Sequence, residues 1–457
     1  MIDSMNRTLP LLLIASAAGV AQTKSPTSLE GTWLGTLSNG ANAVRLVCVF
    51  ERPGADTQTG SITSIAGRVT GNKIESVTVN EDRVRFEVKR IKGSYEGTLT
   101  QGAQQMDGVW IQPNMRLPLV LTRTQTTSIT EPEFMGVDAW VPKSPTVVRA
   151  GGKEWLFYEV HVTNWSDSEI TLLRLEVLIG DDAVAIEGEA LNKVAIAAGT
   201  KLAPGLRSVI LVNAAGERFP DSIRHRVTFQ LAGRTLPNIV ECANTPVGRG
   251  AVEIAPPVAG GPWQVGSGPD TSHHHRGAIL AYQGRATISQ RFAFDFFLEK
   301  ELDASSGKGD PMNNRDHRSY GAPVFAVADA TVASVVDGLP DNVPYDIFPV
   351  VSLNADKLYG NRVTLDLGHG RYATYGHLQA GVRVKAGDRI KAGQMLGLIG
   401  DSGASAAPHL HFQVTDGPDP IASEGIPFVF TSFRRNGSSY SGEMPLNEWS
   451  IGFPERK

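Results

Sequence analysis

Short stretches in which apolar and polar residues alternate recur along this chain, and long helical patterns are few. From Asp82 to Arg90, Val84, Phe86 and Val88 fall on one side while Arg83, Arg85, Glu87 and Lys89 fall on the other. Successive side chains of a strand point to opposite faces, so this pattern predicts a half-exposed antiparallel strand. Trp155 to Val162, Leu172 to Ile179 and Arg226 to Leu231 read as further strands, with turns such as Asn164-Trp165-Ser166-Asp167 between them. From Gln290, Phe292, Phe294 and Phe296 share one face and Arg291, Ala293 and Asp295 the other. Asn361 to Leu378 predicts a hairpin that turns at Gly368-His369-Gly370 and returns to His377. Ser405 to Val414 predicts a strand with His409 and His411 on one face and Leu410 and Phe412 towards a core.

The expected fold class is therefore mainly β, in three modules. A β-barrel-like domain spans 28–124, an immunoglobulin-like β-sandwich 132–246, and a C-terminal antiparallel β-sheet domain 262–436, followed by a tail at 437–457. A Thr-rich connector lies between the first two, and the Pro/Gly-rich run Ala255 to Pro262 separates the last. Gly31-Thr32-Trp33 is echoed by Gly108-Val109-Trp110. On that repeat the first module resembles the lipocalin-like modules that precede some secreted hydrolases.

Composition narrows the function. The chain has 457 residues, 41% hydrophobic and 20% charged, enough to bury several cores. A formal charge of −4, with no basic run, gives no reason to expect nucleic acid as a partner. Arg7, the apolar run from Leu9 to Val20 and the small residues Gly19 and Ala21 predict a signal peptide at 1–22. The expected location is thus exported, periplasmic or extracellular, with no stable membrane insertion. Cys48 and Cys242 lie in different modules and are expected to be separate buried thiols. The partners or ligands of the first two modules are unknown, and His161 and His225 there read as ordinary surface or strand histidines.

Two histidines on one rigid strand face form a nitrogen site for zinc, or a ligand beside a proton-handling group. Asp295, His377, Gly321-Ala322-Pro323-Val324-Phe325-Ala326, Val384 to Gly397 and Pro408 to Phe412 follow in an order that resembles the zinc metallopeptidases related to lysostaphin and the LytM autolysin. The resemblance covers roughly 263–433. It implies one Zn2+ held by Asp295 and His411 as metal ligands, with His377 and His409 as the catalytic pair. It also implies a peptidoglycan hydrolase cutting peptide crosslinks. The alternatives are a non-catalytic cell-wall module, or an exported peptidase acting on other peptides.

One position departs from the family pattern. Its first metal ligand is a His four residues before the Asp, and here that residue is Arg291, which stays protonated and cannot ligate zinc. The missing ligand is sought among His273, His274 and His275, and less readily at His317. A two-residue turn at Gln283-Gly284 would put His274 on the face of Asp295, whereas an odd turn or a bulge would bring His275 across. The pairing of His275-Arg276 with Gly284-Arg285 resembles a subgroup of the family and points to His275. Leu298 to Tyr320 is expected to be a loop walling the substrate groove, with His317 at its surface.

Overall fold

A computed structural model describes residues 28–39, 42–54, 57–64, 72–124, 129–130, 136–232, 237–271, 274–298, 309–346 and 357–456. The expected signal peptide and His273 lie outside the described residues. The chain divides into two compact units, Met1–Thr127 with Gly233–Thr235, and Ser128–Ala232 with Leu236–Lys457.

The first unit is a nearly closed, barrel-like sheet in which strands adjacent in sequence pair, except Asn72–Ile74 and Ser76–Asn80, which form its two open edges. Closure comes from Gly31–Asn39, which pairs with Asn42–Gly54 on one side and Met115–Thr124 on the other. Trp33 and Trp110, the two echoed tryptophans, are both buried inside with Phe50, Phe86 and Tyr95. Gly108 is required there, because a Cβ would come within 2.6 Å of the Tyr95 ring. The Cys48 thiol is buried and free, as is Cys242 in the second unit.

The second unit holds a two-sheet sandwich and a larger C-terminal sheet. Sandwich strand Lys153–Asn164 is buried on both faces. Leu156, Tyr158, Val160 and Val162 face the sandwich core, while Phe157 points the other way and packs edge-to-face on Phe292 of the C-terminal domain. His225 is fully buried and shares a hydrogen bond of 2.8 Å with the Tyr158 hydroxyl. It is a core histidine, not the surface residue allowed for above.

The C-terminal sheet runs in the order Arg389–Ile390, Ala330–Val336, Asn361–Asp366, Tyr372–Leu378, Leu410–Thr415, Phe294–Leu298, Trp263–Gly266 and Ser450–Ile451. Beneath it lies a floor of buried Phe294, Phe296, Tyr375, Phe412, Phe428 and Phe430. Three expectations about this domain change. Residues 437–457 are no loose tail, since Ser450–Ile451 pairs with Trp263 and Gln264, and Met444 and Phe453 are buried. The Pro/Gly-rich run is packed in, because Phe325 N–H donates to the Pro257 carbonyl and Val258 is fully buried. His317 is also buried, with Nε2 at 2.9 Å from the Pro311 carbonyl, because the 309–320 part of the expected wall folds back on itself. Among the described residues no helix is long and apolar enough to cross a membrane.

Candidate metal centre

The centre is built on three neighbouring strands of this sheet. Asp295 lies directly opposite His411 in the register, and His411 opposite Gly376. Residues opposed in a ladder point to the same face, so Asp295 and His411 meet there by strand geometry alone. The observed strands are shorter than expected, Phe294–Leu298 and Leu410–Thr415, so His409 precedes its strand and Arg291 lies in a turn. Plain alternation would aim His377 away from this face. Its φ of 60° is left-handed, at a cost of roughly 1–2 kcal/mol for a non-glycine residue, and the kink turns the ring back to 4.7 Å from His409 and 5.8 Å from His411.

His275 arrives from outside the sheet. Leu280–Tyr282 and Arg285–Thr287 pair around Gln283 and Gly284, both at positive φ, which is the even turn considered above. The ladder stops at Leu280, so strict alternation never extends to the histidine run. The chain leaves the hairpin and returns with His275 Nε2 3.4 Å from Asp295 Oδ2. On the other side His411 Nδ1 is 3.2 Å from Asp295 Oδ1. His274 also comes within reach, since it offers a ligand atom within 4.8 Å of both His275 and Asp295. It is exposed, however, and we favour His411, which is buried and fixed by its register opposite Asp295.

The tautomers converge. His275 Nδ1–H donates to the Ser267 carbonyl at 3.1 Å, leaving Nε2 bare. His411 Nε2–H donates to Gln413 Oε1 at 2.9 Å, leaving Nδ1 bare, and the Gln413 amide is itself oriented by donating to the Pro420 carbonyl. His377 Nδ1–H donates to the Ser402 carbonyl and His409 Nδ1–H to the Ala407 carbonyl, each at 2.8 Å. A carbonyl only accepts, so each contact fixes which nitrogen carries the proton. In its neutral form each imidazole therefore keeps its proton on the outward nitrogen and turns the other nitrogen inward; burial opposes a second proton on His409, but Asp295 outweighs it and raises that residue. Burial alone would raise the Asp295 carboxyl, but the positive charge that His275 and His409 take up on protonation, with hydrogen bonds from His409 and His411, outweighs it and holds it well below the usual carboxylate range. Burial pushes His275 down to about 3 against the pull of Asp295, and it pushes His377 well below its ordinary value, helped by His409 and His411.

Residues 317–423 match the model of peptidase family M23. Residues 317–423 are an M23 peptidase domain. The matched range contains His377, His409 and His411, and begins after His275 and Asp295. Among solved structures, the lysostaphin catalytic domain from Staphylococcus simulans is 21% identical over 36% of this chain and 88% of its own, with a TM-score of 0.21. The catalytic domain of the M23 protein EnpA from Enterococcus faecalis is 20% identical over 41% and 93%, with a TM-score of 0.21. A zinc-containing peptidase from Vibrio cholerae is 12% identical over 77% and 85%, with a TM-score of 0.20. No curated protein matches the chain.

M23 peptidases are generally zinc-dependent, and the donor set of His275, Asp295 and His411 fits such an ion. Four ligands placed tetrahedrally about 2.05 Å from zinc are separated from one another by roughly 3.3 Å. The two nitrogen–carboxylate separations bracket that value, and the inward atoms are two bare nitrogens and an anionic carboxylate. Sequence reasoning missed two residues that orient this M23 centre. Gln413 follows His411 by two residues on the same strand face, so alternation could have found it. Ser402 could not have been found in that way, because it reaches His377 through a loop carbonyl. Phe297, stacked on His409 with centroids 5.0 Å apart, was also missed.

Proposed function

We propose that the chain is an exported zinc endopeptidase of the cell wall, hydrolysing peptide bonds in peptidoglycan crosslinks. The observation that carries this reading is the convergence of His275 Nε2, Asp295 and His411 Nδ1, three ligand groups of the kind that leave a catalytic zinc one open position. A zinc ion bound there would polarise the scissile carbonyl and lower the pKa of a water molecule. Arg291 is not needed as a ligand, because His275 enters from the loop before the hairpin and supplies the third group.

His409 and His377 do the proton work in this reading. Each is held by its Nδ1–H and turns Nε2 into the site. His409 Nε2 lies 3.4 Å from Asp295 Oδ1, beside the ligand set, where it takes a proton from the attacking water and returns it to the leaving amine. His377, on the adjacent strand, orients the water as an acceptor and, once protonated at Nε2, donates to the developing oxyanion. Phe297 over the His409 ring helps to exclude bulk water. Export is supported by the basic and apolar pattern of the first residues, and the wall substrate by the sequence resemblance.

Digestion of purified peptidoglycan by the full chain, with and without a chelator, tests the reading. Release of fragments with new amino and carboxyl ends, stopped by the chelator and restored by zinc, is the expected result. Intact wall together with cleavage of free peptides would move the substrate to the soluble class. No cleavage of either would end the enzymatic reading.

A further inference from the structure

Two arginines flank the proposed ligands in sequence, and both are buried. Arg276 follows His275 directly, and Arg291 lies four residues before Asp295. Neither faces the metal centre. Both converge on one carboxylate of the sandwich, Glu159, itself 1% exposed. Arg291 Nε donates to Glu159 Oε2 at 2.8 Å, and Arg276 Nη2 lies 3.5 Å from Glu159 Oε1. The rest of the Arg291 fork is used within the C-terminal domain, on Glu424 at 2.8 Å and the Gly425 carbonyl at 3.0 Å.

Arg276 is a peg driven into the sandwich. Its guanidinium donates to the Tyr158 carbonyl at 2.8 Å, the Val212 carbonyl at 3.4 Å and Asn213 Oδ1, contacts with two neighbouring sandwich strands. The Pro269 carbonyl accepts a further bond at 2.7 Å. His275 needs such an anchor. Asp295 and His411 are placed by a ladder, whereas His275 sits in a turn whose nearest strand begins at Leu280. A ligand outside the sheet has no ladder to fix its backbone, and a misplacement of even 1 Å matters at a metal.

We infer that Glu159 of the sandwich is a positioning residue for the metal centre, holding Arg276 and through it His275, and holding Arg291 in the turn that leads to Asp295. This rests on the assignment of His275 and Asp295 as ligands. It makes the sandwich a working part of the peptidase and not a spacer, and it explains why arginine occupies the position where related enzymes carry a ligand. A buried guanidinium with fixed donors suits a carboxylate and backbone carbonyls better than any other side chain.

The test compares zinc affinity, by chelator competition at fixed pH, with thermal stability in full-length Glu159→Gln, Asn213→Ala and Val160→Ala. Val160 faces the sandwich core and touches neither arginine, so Val160→Ala gives the effect of a weakened sandwich alone. Glu159→Gln and Asn213→Ala are each expected to bind zinc about tenfold more weakly than Val160→Ala, the usual scale for lost outer-sphere support. Glu159→Gln strands two buried charges and can fail to fold. In that case Asn213→Ala, at an exposed position, decides by the same criterion. Zinc affinity equal to that of Val160→Ala in the folded variants overturns the inference. His275→Ala separates the two levels: if that variant still holds zinc, the ligand assignment is at fault and not the role of Glu159.

Discussion

The sandwich strand Lys153–Asn164 and the histidine strand Leu410–Thr415 begin from the same plan. Both are buried on both faces, and each lays alternate apolar residues on a core, Tyr158 and Val160 in one, Leu410, Phe412 and Val414 in the other. Each also carries ionisable groups on its second face. In the sandwich that charge is closed: burial would raise the Glu159 carboxyl, but Arg291 and Arg276 outweigh it and hold it low. Around Asp295 the neighbours are imidazoles that can give up their inward protons. An anion ringed by imidazoles, which can yield the inward proton, has a place for a cation that one ringed by permanently charged guanidinium groups lacks. Burial of polar groups does not separate a structural cluster from a metal centre; the direction of the protons does.

The comparison breaks most readily at Asp295 and His411. Asp295→Ala or His411→Ala should abolish stoichiometric zinc and all wall hydrolysis, and full metal content in either variant would contradict the ligand set. Next in size are His409→Ala and His377→Ala, expected to keep zinc and to lose roughly two orders of magnitude or more in kcat, as positioned acid–base groups typically contribute. Turnover near the wild-type rate in both would remove the proton-handling role. A smaller effect belongs to the sandwich. Burial holds His225 at about 4, below its ordinary 6.5, so the unfolded chain takes up a proton that the folded chain refuses. Stability from this group is complete above pH 6.5 and is lost as pH falls towards 4. His161, also pushed by burial to about 4, adds a slope of the same sign. The melting temperature should fall across that window, and less steeply in His225→Phe. The smallest effect is expected for the exposed His274, whose replacement by alanine should leave zinc stoichiometry unchanged.

How much of this was legible follows from how each residue is held. Alternation put Asp295 and His411 each on a strand face, where the ladder does hold them, but their pairing as ligands came from the resemblance. His377 came only from the resemblance, since a residue at positive φ disobeys the alternation used to predict it. His275 was reached by motif pairing against the even-turn geometry. The turn was indeed even, but the hairpin was too short for its register to extend to the ligand. The fold class was legible from repeated short alternating stretches. The joining of the sandwich to the C-terminal domain was not, because Glu159 and Arg291 lie 132 residues apart and no local pattern links them.

The ladder that brings His411 to Asp295 also has a consequence for assembly. The two residues are 116 positions apart, and closing a chain loop of that length costs about 4 kcal/mol in entropy before any contact is made. In the proposed reading an unfolded chain must meet that cost before it can hold the ion, so metal capture is coupled to completion of the sheet. A long-range pairing of this kind forms slowly compared with local hairpins. In the proposed reading the chain is inert until it has folded, and cutting begins only once the sheet is complete.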